Sequence, residues 1–196
     1  MTWPFYYLLE GMCLISRNKK GLLLHTCCAP CSTYVVELLR PEFDVTAYFY
    51  NPNIHPYEEY QIRLGEMKRT CRRLGIDLVE GGYEVEEWFQ RIKGLETEKE
   101  GGKRCTVCFY LRLDKTAAFA RDYDYQYYAT TLTISPYKDA KVINQMGKKL
   151  QEKYGINFYQ ADFKKKDGFK RSCQLSKEYG LYRQNYCGCI FSKKKS

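Results

Sequence analysis

The stretch Leu22-Leu23-Leu24-His25-Thr26-Cys27-Cys28-Ala29-Pro30-Cys31-Ser32 constrains this chain more than any other. Three consecutive leucines behind a polar leader read as a strand covered on both faces, the pattern of a helix-flanked parallel sheet. Pro30 suits the first turn of a helix, and the run from Ser32 to Leu39 carries an apolar helical stripe. In an open α/β sheet, ligands gather beyond the carboxyl ends of the strands. Three thiols therefore stand where chemistry is expected.

The rest of the chain repeats the rhythm. Asp44 to Tyr50 reads as a second strand from its β-branched and aromatic content, and Asn51-Pro52-Asn53-Ile54-His55-Pro56 as a loop. A helix is expected from Pro56 to Leu74, with Glu58 and Glu59 in its first turn and Gly75 as its cap. A third strand follows at Ile76–Val79, then a short helix at Val85–Ile92 and a charged, glycine-containing loop at Glu96–Lys103. Cys105-Thr106-Val107-Cys108 opens a helix running to Ala120, and Tyr125–Thr131 reads as a fourth strand. Ile134–Tyr137 turns into a helix reaching Tyr154, Ile156–Tyr159 is a fifth strand, and a basic loop at Ala161–Gly168 leads to a last helix at Phe169–Tyr179. Strand alternating with helix predicts one Rossmann-like α/β domain, a parallel five-stranded sheet covered by helices.

At 196 residues the chain suits a single domain, and 44% hydrophobic with 28% charged residues allows a packed core. No apolar run approaches the roughly 20 residues that span a bilayer. Trp3–Ile15 is apolar and aromatic, but Glu10 interrupts it and no basic leader or small-residue cleavage site frames it. Residues 1–20 are therefore expected as an N-terminal extension packed on a domain at 21–196, in a cytoplasmic protein. The net charge of +9 concentrates at Lys164-Lys165-Lys166, Lys170-Arg171 and Lys193-Lys194-Lys195. Such runs are either solvated faces or a surface for a polyanion, and 19 tyrosines offer rings on which unpaired bases stack.

Ten cysteines in a chain without a secretory signal argue for metal or redox chemistry over a disulfide framework. Cys13, Cys71 and Cys173 stand alone and read as small buried hydrophobes. The other seven form three groups: Cys27, Cys28 and Cys31; Cys105 and Cys108; Cys187 and Cys189. A structural zinc site and a redox disulfide are the plain readings of one such group. A closed zinc site takes four ligands, and so does a four-iron cluster, so seven thiols leave a surplus. Cys31 and Cys105, near helix starts, are expected as low-pKa thiols. Adjacent residues of an extended segment point to opposite sides, so Cys27 and Cys28 are expected to serve different centres, and Gly188 allows Cys187 and Cys189 the same division. The expected arrangement is an iron–sulfur cluster on Cys28, Cys105, Cys108 and Cys187 beside a separate metal on Cys27 and Cys189.

Other polar candidates are His25 and His55, each either a ligand or proton donor or a histidine held by backbone. Asp139 reads as a helix cap, Asp114 lies on the helix after the CxxC pair, and Asp162 after the fifth strand ranks first as a catalytic carboxylate.

Six stretches together resemble the QueH family of epoxyqueuosine reductases: Leu-His-Thr-Cys-Cys-Ala-Pro-Cys-Ser, Tyr-Asn-Pro-Asn-Ile-His-Pro, Gly-Gly-Lys-Arg-Cys-Thr-Val-Cys, Thr-Thr-Leu-Thr-Ile-Ser-Pro, Asp-Phe-Lys-Lys-Lys-Asp-Gly and Tyr-Arg-Gln-Asn-Tyr-Cys-Gly-Cys. They extend from about Leu22 to Ser192. The resemblance implies reduction of the epoxide of epoxyqueuosine at the tRNA wobble position, with a 4Fe-4S cluster and an adjacent mononuclear iron. It also implies an external electron donor, and the anticodon loop of tRNA as partner for Lys164, Lys165, Lys166, Lys170 and Arg171. The fold resembles the adenine-nucleotide hydrolase-like, PP-loop group, whose first-strand loop is rich in serine and glycine where this chain has thiols. Two other readings stand beside it: a zinc-stapled tRNA-binding module without catalysis, and a thiol–disulfide oxidoreductase.

Overall fold

A computed structural model describes residues 19–193 of the chain. Its elements are β1 (Lys20–His25), α1 (Ala29–Leu39), β2 (Phe43–Phe49), α2 (Tyr57–Leu74), β3 (Leu78–Glu80) and α3 (Val85–Ile92). α4 (Lys103–Asp122), β4 (Tyr127–Thr130), α5 (Ala140–Tyr154), β5 (Asn157–Phe158) and α6 (Gly168–Glu178) complete it, with short 3-10 turns at Thr131–Ile134 and Ile190–Ser192. All five strands share one sheet in the order β3-β2-β1-β4-β5, and every pairing is parallel. The expected fold class is the one observed.

β1 is central, and its leucines pack in alternate directions. Leu22 and Leu24 join Val35, Val36 and Leu39 of α1, while Leu23 packs with Trp88, Ala117 and Tyr128 on the opposite face. All three are fully buried, each contributing about 1.5–3 kcal/mol of transfer free energy.

Several boundaries differ from expectation for local reasons. β3 starts at Leu78 because Ile76 N–H still hydrogen-bonds to Cys71 O (3.1 Å) in the turn that ends α2, where Gly75 takes φ 65°. α4 starts at Lys103, two residues before Cys105. β4 stops at Thr130 because its hydroxyl accepts Leu132 N–H (3.1 Å) and starts the 3-10 turn. Asp139 caps α5 as expected, accepting Lys141 N–H at 2.7 Å and Val142 N–H at 3.3 Å. The extension read at Trp3–Ile15, Cys13, Lys194 and Lys195 lie outside the described residues. Among the described residues no helix is long and apolar enough to cross a membrane.

Gly147 lets α5 lie directly on the sheet. A Cβ there would overlap the Phe158 ring, and Tyr128 Oη donates to Gly147 O at 2.6 Å. Gly147→Ala is expected to lower unfolding stability by about 1–3 kcal/mol, although alanine alone favours a helix by roughly 0.5–1 kcal/mol over glycine. Urea denaturation reads this, and an unchanged or higher midpoint would refute the packing argument.

Candidate metal centre

The strand order creates the site. The chain runs outward from β1 through β2 to β3 and then returns to place β4 on the other side of β1. Adjacent loops there leave in opposite directions and open a crevice at the strands' carboxyl ends. Cys27–Cys31 follows β1, Asn51–Pro56 follows β2 and Ser135–Lys138 follows β4, while the start of α4 and the segment around Cys187 face them.

The Sγ atoms of Cys27, Cys28 and Cys31 all lie within 4.8 Å of one another, close enough to hold a metal ion together. This corrects the expectation that Cys27 and Cys28 point to opposite sides. The backbone bends at Cys27 before Cys28 (φ −168°, ψ 154°) caps α1, so strand alternation has already ended. Cys31, on the first turn of α1, points its side chain back toward the helix start.

Among the described residues, two adjoining cavities are lined by six of the seven thiols, and Cys28 lines neither. Cys105, Cys108, Cys187 and Cys189 line one. Cys27, Cys31 and Cys187 line the other, whose volume is about 370 Å³. Glu100, Tyr137, Lys138 and Cys187 border both. All seven thiols belong to one buried cluster, which holds both sets of the expected split, Cys28 with Cys105, Cys108 and Cys187, and Cys27 with Cys189. Cys28 stays with Cys27 and Cys31, and Gly188 (φ 105°) folds Cys189 back onto Cys187.

The acidity of the thiols follows their contacts. Hydrogen bonds from Cys28 and Cys31 hold the Cys27 thiol well below the usual range; through the same contacts Cys28 is pushed up to about 11 and Cys31 well up. Cys187 is drawn down to about 5 by a hydrogen bond from Cys189, which is raised in turn. Cys105 is raised by burial, although Gly101 N–H donates to its Sγ at 3.2 Å. The low-pKa thiols are therefore Cys27 and Cys187 rather than Cys31 and Cys105, because thiol–thiol hydrogen bonds and burial outweigh the helix dipole.

The scaffold beneath is polar and buried. His25 has Nδ1 2.9 Å from Thr130 Oγ1 and Nε2 3.2 Å from Tyr50 O, tying β1 to β4 and to the loop after β2. Burial lowers its pKa to about 3, so the ring is neutral, with Nε2–H donating to Tyr50 O and Nδ1 accepting from Thr130. It borders neither cavity; the backbone-held reading is the observed one. His55 packs its ring among Tyr83, Trp88 and Phe89, and its backbone N–H donates to Gly188 O at 2.8 Å. Arg63 donates to Cys187 O (3.1 Å) and Tyr186 O (3.2 Å) while paired with Glu59 at 2.7 Å.

Asp162 pairs with Lys164 at 3.0 Å and is not among the residues lining either cavity. Asp114 is held on α4 by Lys153 (2.7 Å) and Tyr154 (2.9 Å). Of the basic candidates, Lys164 is paired with Asp162, and Arg171 lies near Glu37 and Glu178. Lys165, Lys166 and Lys170 are exposed and make no ion pair among the described residues. They flank Phe169 and Ser172, which line the larger cavity. Glu100, Tyr137, Lys138 and Arg183–Tyr186 were not singled out from sequence; only their place in family-like stretches or a charged loop could have drawn attention to them.

A Cβ at Gly188 would sit 2.8 Å from Ile54 Cγ1 and 3.1 Å from Arg63 Nη1, on a backbone that L-residues seldom adopt. Gly188→Ala is expected to keep its circular-dichroism spectrum and to lose at least half of its bound metal. Wild-type metal content would show that this turn does not position the thiols.

A family model described as epoxyqueuosine reductase QueH matches residues 22–195. A relative of that name from Streptococcus pyogenes serotype M1 is 42% identical over 182 residues, covering 90% of this chain and 71% of that protein. One from Haemophilus influenzae is 42% identical over 182 residues, covering 92% and 74%, and one from Thermotoga maritima 38% over 174 residues, covering 87% and 89%. Among solved structures, the U34-tRNA thiolase NcsA from Methanococcus maripaludis with its [4Fe-4S] cluster superposes with a TM-score of 0.57 at 14% identity, over 90% of this chain and 62% of that one. A predicted subunit of tRNA methyltransferase from Methanocaldococcus jannaschii superposes with a TM-score of 0.54 at 15% identity, over 82% and 74%. These two likenesses establish the fold, whereas the sequence matches reach further: the chain belongs to the epoxyqueuosine reductase QueH family, a family of oxidoreductases.

Proposed function

We propose that this chain reduces the epoxide of epoxyqueuosine at the wobble position of tRNA to the alkene of queuosine, using an iron–sulfur cluster and a second iron. The observation that carries the metal part is the gathering of seven thiols at one switch point of the sheet. The named relatives support the reaction. Both C–O bonds of the epoxide break, a C=C bond forms, and the oxygen leaves as water. Two electrons from an external donor and two protons balance the step.

The donor set is all sulfur, which suits iron–sulfur chemistry and a thiophilic metal. Cys105, Cys108, Cys187 and Cys189 would hold the cluster, and Cys27, Cys28 and Cys31 the second metal. When bound, the cluster supplies single electrons, and an iron with an open position acts as a Lewis acid.

The protein's own groups do the rest. The larger cavity, bordered by Arg183, Gln184, Asn185 and Phe169, offers amide and guanidinium groups to a modified base and its ribose. Tyr137, 82% exposed at the rim, is a stacking platform for an unpaired base. Tyr137, Lys138 and Glu100 border both cavities, so proton-bearing side chains stand where a leaving oxygen would be protonated. Asp162, paired with Lys164, is not carried into this role. Lys165, Lys166 and Lys170 meet the anticodon-loop phosphates, a role consistent with a cytoplasmic enzyme.

Anaerobically purified protein is expected to be brown, with acid-labile sulfide matching one cluster and iron in excess of it. Cys108→Ala is expected to lose the sulfide, and Cys31→Ala to lose iron while retaining sulfide. A colourless wild type with stoichiometric zinc would overturn the reading, and loss of sulfide in Cys31→Ala would overturn the division. Turnover is checked with epoxyqueuosine-containing tRNA and mass detection of the deoxygenated base.

The triple variant Lys165→Ala, Lys166→Ala, Lys170→Ala is expected to weaken tRNA binding at low salt. It should also reduce the slope of log affinity against log salt by about 2–3. The metal spectrum should be unchanged. An unaltered slope would remove these lysines from the interface.

A further inference from the structure

Three arginines are buried among the described residues: Arg63, Arg104 and Arg112, at 1%, 1% and 3% exposure. Arg63 has Glu59 at 2.7 Å. Neither Arg104 nor Arg112 has a carboxylate within ion-pair distance among the described residues. Arg112 donates instead to Cys108 O (3.3 Å) and Asn51 Oδ1 (3.4 Å), and stands 5.7 Å from the Phe109 ring centroid. Arg104 donates to Leu95 O (3.2 Å) and Glu96 O (2.8 Å), with the Phe191 ring 5.2 Å away. Every one of these partners is neutral.

A buried cation without a counter-charge is costly, and native proteins nearly always pair it. Both unpaired guanidiniums border the cavity that Cys105, Cys108, Cys187 and Cys189 line. The same wall carries Trp88, which is fully buried and whose indole Nε1–H has no partner among the described residues; Arg104 Nε is likewise unpartnered. Three cations, Arg104, Arg112 and Lys138, line this cavity against one carboxylate, Glu100, and two spare N–H donors stand with them beside the four thiols. Four metal-bound thiolates and the sulfides of a cluster carry net negative charge, and sulfur accepts hydrogen bonds from such donors.

Resting on the cluster assignment above, we infer that Arg104, Arg112 and Trp88 are the charge-balancing and hydrogen-bonding shell of that cluster, raising its reduction potential. Negative charge on the reduced cluster gains more from nearby cations and donors than the oxidised form does, so reduction becomes easier. They act through the cluster and touch no substrate, which makes them positioning and tuning residues.

The test is the midpoint potential of the purified holoenzyme, measured by anaerobic titration with a low-potential reductant and followed by visible absorption and electron paramagnetic resonance. Trp88→Phe keeps the ring and removes the N–H; Arg112→Gln removes the charge and Arg112→Lys restores it. With iron and sulfide content at the wild-type level, Trp88→Phe and Arg112→Gln are expected to titrate at more negative potentials. Arg112→Lys should return toward the wild-type value. Unmoved potentials in both Trp88→Phe and Arg112→Gln would overturn the inference. So would failure of Arg112→Gln to load a cluster together with an unmoved potential in Trp88→Phe, since that pattern is purely structural. Absence of any iron–sulfur cluster in the wild type would instead defeat the cluster assignment itself.

Discussion

Burial of β1 on both faces is the constraint on which the rest depends. Leu22, Leu23 and Leu24 alternate between two helical layers, so the strand occupies the centre of the sheet with β2 and β4 on either side. A central strand flanked by strands reached from opposite directions produces a switch point, and its loop opens into a crevice. Placing Cys27, Cys28 and Cys31 in that loop makes hydrophobic burial the force that positions these three thiols.

The remaining thiols reach the crevice from far along the chain, and their arrival is organised by polar contacts. Arg63 donates to the carbonyl of Cys187 across 124 residues of sequence, with Glu59 fixing the guanidinium. Closing a long loop costs conformational entropy that grows only slowly with length. Hydrogen bonds to a charged donor contribute about 1.5–3 kcal/mol each against it. The Gly188 carbonyl, accepting from His55 N–H, adds a second tie between the CxC turn and the loop after β2.

Charge is distributed in two tiers. Lys165, Lys166 and Lys170 lie in solvent, where screening makes them a diffuse attraction for a polyanion. Arg104 and Arg112 lie inside, where the low effective dielectric makes each cation count for far more. The inner pair lines the cavity that Cys105, Cys108, Cys187 and Cys189 also line, the outer lysines flank the larger cavity, and Lys138 borders both cavities.

The amino-acid sequence by itself determined the sheet, its helices and the existence of a thiol centre, because apolar periodicity, proline and glycine placement and cysteine spacing are local signals. It carried the Asp139 cap and the membership of the three cysteine groups. It did not carry the grouping of Cys27 with Cys28, because whether neighbouring side chains diverge depends on where the strand bends, and the bend falls at Cys27 itself. Nor did it reveal that Asp162, Lys164 and Arg171 have partners, that His25 is a structural tie, or that Arg104 and Arg112 have no carboxylate partner. Pairing and burial are properties of distance between segments remote in sequence. Only the tertiary structure decides them, because it alone sets which charges meet and how much water remains between them.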